Sequence, residues 1–508
     1  MFSVLTFFVV FIPLFFLHFM MTIGITLSDE QSLVLARFRK GSNVFVSGPG
    51  GSGKTTLIET LVDECATHGR TAKVCAMTGC AALLLPQACH ATTLHSWSGI
   101  RLCKGNTRDI VKSATLNSKT RANWRSVDVL IIDEVSMMSL KVFEVLDAIG
   151  QSVLKNDAPF GGLQLVFLGD FYQLPPVPTQ NDPDSDRFCF ESERWPRVFP
   201  LRNTIVLRRV FRQSGDDAYR RILLEVRENK LNDESRAVLE AHVAKCCTFG
   251  AEDATKLFPT RYKTDNYNHL MFSKLQGDAH TFDMIRKTDC TIWIQQNKVF
   301  SAKDAHRCSL MTQPMKDYVI RTLISSLNSP ELLELKVGAF VMCTVNLDLE
   351  SGICNGSQGV VVSLDRGGAT GKFIPTVRFM NGITRRVEVH YTQSDEYPRI
   401  AVGQLPLCLA WAMTIHKIQG ATLDVAEVDV GKEIFECGQT YVALSRVRSL
   451  DGLRLSAFDA SRIRVNAKVA SFYAKIDAMT QNQAENNDAF ETDDELETLM
   501  AAFELPSK

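Results

Sequence analysis

Residues 48–55 read Gly-Pro-Gly-Gly-Ser-Gly-Lys-Thr and fit the pattern G-x-x-x-x-G-K-[ST]. No other stretch constrains the fold as much, because this pattern works only between a strand and a helix. Val44-Phe-Val46 before it is apolar and strand-forming, and Thr56-Leu-Ile-Glu-Thr-Leu-Val62 after it reads as a helix. Glycines let backbone N–H groups come close to phosphate oxygens. The following helix adds unpaired donors and the positive end of its dipole. The expected nucleotide contacts are therefore Gly48, Pro49, Gly50, Gly51, Ser52, Gly53, Lys54, Thr55 and Thr56. Lys54 can reach the β- and γ-phosphates, and the Thr55 hydroxyl can ligate Mg²⁺. The alternative is a chance glycine-rich turn, and the pattern arises by chance about once in tens of thousands of positions.

A phosphate loop needs an acid to hold the metal and an acid to handle water. Val129-Leu-Ile-Ile-Asp-Glu134 is an apolar run that ends in two acids, as a buried parallel strand would. Asp133 is the expected metal ligand, directly or through water, and Glu134 the group that orients and activates the attacking water. Leu163–Asp170 reads as a second apolar strand, and Gln173 just past its end can sense the γ-phosphate and report to a neighbouring domain. Pro175-Pro176 ends that strand. Arg212 and Arg446 are candidates for the cation that stabilises transition-state charge, with a solvated arginine as the other reading of Arg212. Gln31 lies seventeen residues before the loop, behind a helix-capping Ser28 or Asp29. Its side-chain amide can pair with both edges of an adenine.

The charge distribution suits a second, polyanionic ligand. The 508 residues carry a formal net charge of −1, but residues 480–508 alone hold −7 and residues 1–26 hold none. The body between them therefore carries an excess of six positive charges. Thr78 and Gly79 follow an apolar strand and can contact a sugar-phosphate backbone. His95 and Trp97 can stack on bases, or be a satisfied histidine and a buried aromatic. Thr414, His416, Lys417 and Gln419 end the apolar run that starts at Leu407, and can meet a phosphate backbone on one side and nucleotide on the other.

Other classes are excluded by what the chain lacks. Its fourteen cysteines include no C-x-x-C pair, which argues against a disulfide framework or zinc knuckle and for a reducing compartment. Cys89-His90 near His95 matches no standard metal spacing. Residues 2–26 are apolar and long enough to span a bilayer, without the basic residues of a secretory or mitochondrial leader. A mis-chosen start ahead of Met20-Met21, a membrane anchor and an unusual targeting segment are the three readings. Residues 335–392 alternate with period two and predict a small β-barrel. From about residue 480 the chain is acidic and polar and reads as disordered, with Leu496–Phe503 as a partner-binding helix or a frayed end.

Taken together the motifs resemble those of the Pif-family DNA helicases, RecD-like members of helicase superfamily one. The resemblance runs over about residues 27–470 and rests on motifs in family order. Leu27–Gln31 resembles the adenine-reading Q motif; Gly48–Thr55 and Asp133-Glu134 resemble the Walker A and B motifs. Gly169–Pro176, Phe211-Arg-Gln213, Thr414–Gly420 and Tyr441–Val447 resemble the third to sixth motifs. The resemblance implies two RecA-like P-loop NTPase domains of α/β class, with ATP and Mg²⁺ in the cleft between them. It implies 5′-to-3′ movement on single-stranded DNA and DNA forks, as a monomer. Roles in DNA repair, recombination and telomere maintenance come with the family. On this basis residues 27–200 form the first domain, 201–270 with 400–475 the second, 271–399 an insertion holding the barrel, and 476–508 the tail. A protein partner for that tail, and a nuclear location with the mitochondrion as alternative, are further expectations.

The departures from the family pattern are local. Gln151 and Leu154 stand where two arginines are usual before Pro159-Phe-Gly-Gly162, Ile418 replaces a serine, and Met77 replaces a proline. None touches the nucleotide chemistry. The leading expectation is an ATP-dependent DNA helicase. A translocase that displaces proteins without unwinding and an inactive DNA-binding scaffold are the alternatives. Lys54, Thr55, Asp133, Glu134, Gln173 and Arg446 all being in place argues against the scaffold.

Overall fold

The computed structural model describes residues 27–486, except 101–102, 180–181, 183, 247–254, 295–297, 301–305, 307, 310, 328, 346, 349–350, 352, 354–356, 368–371, 395–396 and 424. The apolar segment 1–26 and the tail from residue 487 lie outside these residues. Among the described residues no helix is long and apolar enough to cross a membrane.

The first domain is built on six parallel strands: β1 (Val44–Ser47), β2 (Ala72–Ala76), β3 (Thr92–Thr93), β4 (Val129–Asp133), β5 (Gln164–Leu168) and β6 (Thr204–Val206). Their order is β3-β2-β4-β5-β1-β6. The three central strands are buried on both faces, which is why they read as unbroken apolar runs. Alternate residues still serve different cores. Phe45, Leu130, Ile132, Leu165 and Phe167 pack on one face; Val44, Val46, Val129, Ile131, Val166 and Leu168 pack on the other. Because every pairing is parallel, the C-terminal ends of β1, β4 and β5 emerge along one edge. That edge therefore receives Gly48, Asp133 and the Gln173 segment together, as ligand sites in such sheets require. Strand β6 pairs with β1, so the first sheet runs past the boundary expected at residue 200.

A second parallel sheet contains β7 (Thr255–Phe258), β8 (Ala412–Thr414), β9 (Ala426–Val430) and β10 (Leu453–Phe458), in the order β8-β7-β9-β10. Two α/β domains are thus present, as expected. Between β7 and β8 lies the insertion. Its main sheet has five antiparallel strands in the order Thr384–Arg386, Phe373–Phe379, Gln358–Arg366, Phe340–Cys343, Leu407–Leu409. Val341, Val361, Val377, Phe379 and Leu407 form its core. Among the described residues no pairing joins the two edge strands. Period-two alternation specifies a buried face and says nothing about closure. The last strand also carries the insertion beyond residue 399.

After β10 the chain returns to the first domain as a 20-residue helix, Ala467–Asn486. Val469, Phe472, Tyr473 and Ile476 enter the first domain's core, among Phe45, Phe171 and Trp195. Exposed ion pairs Lys468–Glu191 (2.5 Å) and Arg208–Asp477 (2.9 Å) flank this contact. Such pairs are worth about 0–1 kcal/mol each, so the buried aromatics supply most of the docking energy. The helix covers the first eleven residues of the segment expected to be a disordered tail, because its apolar stripe has a surface to cover.

Candidate nucleotide-binding and catalytic site

Helix α1 (Asp29–Arg39) begins with a reciprocal cap. Ser28 Oγ accepts from the Gln31 N–H (3.3 Å), and Gln31 Oε1 accepts from the Ser28 N–H (2.9 Å). This fixes the Gln31 side chain, which is buried and donates from Nε2 to the Gly53 carbonyl at 3.2 Å. The residue expected to read adenine is therefore also a strut for the phosphate loop.

The loop leads from β1 into helix α2 (Lys54–Thr67) through Gly53, whose φ of +83° suits glycine. A Cβ at Gly53 would lie 2.7 Å from Gln31 Nε2. Gly51 has the same φ and is pressed against the Arg212 side chain. Lys54 Nζ donates to the Gly48 and Pro49 carbonyls at 2.6 and 3.0 Å. Burial lowers its pKa, opposed by the charges of Asp170, Glu134 and Asp133. Gly48, Pro49 and Ser52 lie buried beneath the loop. Gly50, Gly51, Gly53, Lys54, Thr55 and Thr56 face the cleft.

At the end of β4, Asp133 Oδ1 accepts from the Glu134 N–H at 2.8 Å. Burial, and then the charge of Glu134, push the Asp133 carboxyl up to about 7. Glu134 sits in the left-handed region at φ +56°, a conformation that costs a non-glycine residue about 1–3 kcal/mol. Its Oε2 accepts from Gln419 Nε2 of the second domain at 3.1 Å.

Two guanidinium groups close the site from the other side. A Cβ at Gly50 would lie 3.4 Å from Arg446 Nη2 and 3.5 Å from Arg212 Nη1. Arg446 is 1% exposed and donates to Val442 O (2.8 Å), Ala421 O (3.2 Å) and Ser445 Oγ (2.8 Å). Burial, then the charge of Arg212, bring its pKa down to about 10. Arg212 donates to Ser445 O at 3.0 Å and is lowered by burial. Lys54, Arg212 and Arg446 thus converge where a polyphosphate's charge would be. The result is a cleft of about 600 Å³ between the domains, also lined by Gln31, Asp133, Glu134 and Gln173. Gln173 is buried, and its Oε1 has no partner among the described residues.

Motif reasoning did not single out Tyr441, whose hydroxyl accepts from the Gly50 N–H at 2.8 Å. It also passed over Phe211, Thr422 and Arg448, which line the cleft. All four lie inside or beside the motif segments, but only folding shows which way they face.

The expected DNA contacts lie outside this cleft. Thr78 caps the helix Gly79–Leu84 after β2, accepting from the Ala81 N–H at 3.1 Å. His95, after β3, is half-buried, and burial lowers its pKa. Thr414 is buried at the end of β8, and Lys417 just beyond it is exposed. The His416 ring stacks on Phe435, centroids 5.9 Å apart.

Trp97 is a correction. It is 7% exposed and packs on buried Trp124, with ring centroids 5.0 Å apart. An apolar ring on the inner face of its short helix gains more from this core than from solvent. Trp97→Ala is accordingly expected to destabilise the fold by about 3–5 kcal/mol. Thermal or urea denaturation checks this, and a loss under about 1 kcal/mol would return Trp97 to the surface role.

The departures have structural homes. Gln151 donates to Asp147 Oδ1 and Asp157 O, each at 3.3 Å; Leu154 packs on the first domain's core and Ile418 in the second's. Among the described residues no group of three or more His, Cys, Asp or Glu could hold a metal. The oxygen donors of Thr55 and Asp133 at one cleft instead suit a Mg²⁺ ion that completes its shell with phosphate and water.

A family described as PIF1-like helicase matches residues 26–237, and one described as DNA helicase Pif1, 2B domain matches residues 322–364. Human ATP-dependent DNA helicase PIF1 is 35% identical, over 89% of this chain and 64% of its own length. The rat protein of that name is 34% identical, over 93% of this chain and 68% of its own length. The chain thus spans about two thirds of these curated relatives. The crystal structure of Pif1 helicase from Candida albicans superimposes with a TM-score of 0.73 at 31% identity, over 89% of this chain and all of that one. A Bacteroides Pif1 helicase in complex with ADP-AlF3 and single-stranded DNA gives a TM-score of 0.64 at 27% identity, over 91% of this chain and 99% of that one.

Proposed function

The chain belongs to the PIF1-like helicase family, and we propose that it is an ATP-dependent DNA helicase that moves 5′-to-3′ along single-stranded DNA. The observation that carries the reading is the cleft itself, in which one phosphate loop meets cations and an amide from the other domain. Hydrolysis in such a cleft changes what holds the two domains together, and a strand gripped by both is then moved.

ATP would lie with its base near Gln31 and Phe211 and its phosphates on the N–H groups of Gly51–Thr56. Thr55 and Asp133 would hold Mg²⁺, which would supply positive charge to offset that of the phosphates. Glu134 orients a water for in-line attack on the γ-phosphorus and accepts its proton. The bond to ADP breaks as the new P–O bond forms. Lys54, Arg212 and Arg446 balance the charge that spreads over the transferred group. Gln173 and Gln419 are placed to register its departure, because one loop comes from each domain and Gln419 already holds Glu134.

The single-stranded DNA in the Bacteroides complex supports a DNA track on this chain too. Lys417 is the exposed cation at the end of β8. Its loss should reduce the log–log salt slope of single-strand binding by about 0.7, the share of one phosphate. It should also reduce DNA-stimulated ATPase more than the basal rate. Fluorescence anisotropy across a salt series tests this; an unchanged slope removes Lys417 from the track. Roles in DNA repair, recombination and telomere maintenance are part of the same proposal. Synthetic forks compared with telomeric single strands as ATPase stimulators would rank them, and equal stimulation by any single strand would count against a telomeric role.

A further inference from the structure

The segment Asp170–Gln173 is held from three directions. Asp170 is fully buried and accepts two hydrogen bonds from Arg227, Nε to Oδ2 at 2.9 Å and Nη2 to Oδ1 at 2.8 Å. Arg227 lies on the helix Asp217–Glu228, whose Tyr219, Ile222, Leu223 and Val226 belong to the second domain's core. Gly438, φ +73°, also comes from the second domain, so close that a Cβ there would lie 2.6 Å from the Gln173 carbonyl oxygen. The third hold is Tyr473 on the C-terminal helix. Its ring stacks on Tyr172 with centroids 4.7 Å apart, and the Arg227 guanidinium lies over Tyr172 at 4.3 Å.

The Tyr473 hydroxyl is used completely. It accepts from the Phe171 N–H at 3.1 Å and donates to Asp170 Oδ1 at 3.4 Å. It also meets Ser47 Oγ. Ser47 is the last residue of β1, immediately before the phosphate loop. One buried phenol therefore joins the root of that loop to the segment bearing Gln173, and through Asp170 to an arginine of the other domain. Packing alone would not require this, since Phe472 beside it fills the same core without a polar atom.

We propose that Tyr473 is a positioning residue of the ATPase: its hydroxyl sets Gln173 relative to the phosphate loop and passes the position of that segment to the second domain through Asp170 and Arg227. The C-terminal helix is then a working part of the motor. This rests on the ATP-driven reading above.

The test uses the full chain and compares Tyr473→Phe, which keeps the ring, with Phe472→Leu, which disturbs only packing. Steady-state ATP turnover at saturating single-stranded DNA and the thermal midpoint are measured for each. Tyr473→Phe should lower kcat about tenfold, a size typical of coupling through such networks, with KM for ATP changed less than about twofold. Phe472→Leu should lower the midpoint at least as much and keep kcat. A cycle with Gln173→Ala adds a readout that instability would not mimic: on that background Tyr473→Phe should cost less than about twofold. Wild-type kcat in Tyr473→Phe, an equal kcat loss in Phe472→Leu, or a full multiplicative loss in the cycle would each overturn the proposal. A wild-type chain that hydrolyses no ATP would remove the functional reading itself, whereas an active one with an indifferent Tyr473 removes only this inference.

Discussion

Lys54→Ala is expected to lower ATP turnover by about 10²–10³-fold, the loss seen when one preorganised group facing developing charge is removed. The side chain reaches over the loop to the Gly48 and Pro49 carbonyls, so its ammonium lies at the loop's centre. Arg212 and Arg446 remain, but Ser445, Val442 and Ala421 hold them, and they cannot move into its place. Burial lowers the Lys54 pKa, and the charges of Asp170, Glu134 and Asp133 oppose that shift. The alanine variant should fold, since it leaves the apolar face of α2, Leu57, Ile58 and Leu61, untouched. Phosphate release by the purified variant decides: turnover within about twofold of wild type would mean that the loop is not the catalytic phosphate site.

Glu134→Gln separates binding from chemistry. Glutamine keeps the size and an oxygen that can accept from Gln419 Nε2, but it cannot take a proton. Turnover should fall by about 10²–10⁴-fold, the usual contribution of a general base. Nucleotide affinity should stay within a few-fold, because the loop, Lys54 and both arginines are unchanged. The left-handed backbone at residue 134 is the same for either side chain, so its strain gives no reason for misfolding. Binding of a fluorescent ATP analogue, measured beside hydrolysis, tells the outcomes apart. A variant that has lost ATP binding would make Glu134 a structural link between domains and not the base.

These two residues were legible because the chemistry demands their type and place. A strand that ends in a bare Asp-Glu pair, or glycines ahead of Gly53-Lys54-Thr55, have few other uses, and parallel pairing brings such strand ends to one edge. The domain crossings were harder to read. Gln419 holding Glu134, and Tyr441 taking the Gly50 N–H, join residues nearly three hundred or more positions apart, and no local pattern records such a contact. Trp97 shows the opposite difficulty. An aromatic after a small strand has one spelling for a base platform and for a core residue, and only Trp124 opposite it decides. The C-terminal helix was missed because the acidic residues that follow it dominate the composition, while its apolar stripe, Val469, Phe472, Tyr473 and Ile476, is short.

The central claim is that ATP hydrolysis at this cleft drives directional unwinding of DNA. Strand displacement tests it most directly, with the full chain, ATP and magnesium, on duplexes carrying a 5′ tail, a 3′ tail or no tail. The account predicts release of the displaced strand from the 5′-tailed duplex, loss of that release with Glu134→Gln, and no release from the other two substrates. DNA-stimulated hydrolysis without release from any duplex would contradict unwinding and favour the protein-displacing translocase; release that persists in Glu134→Gln would contradict the account altogether.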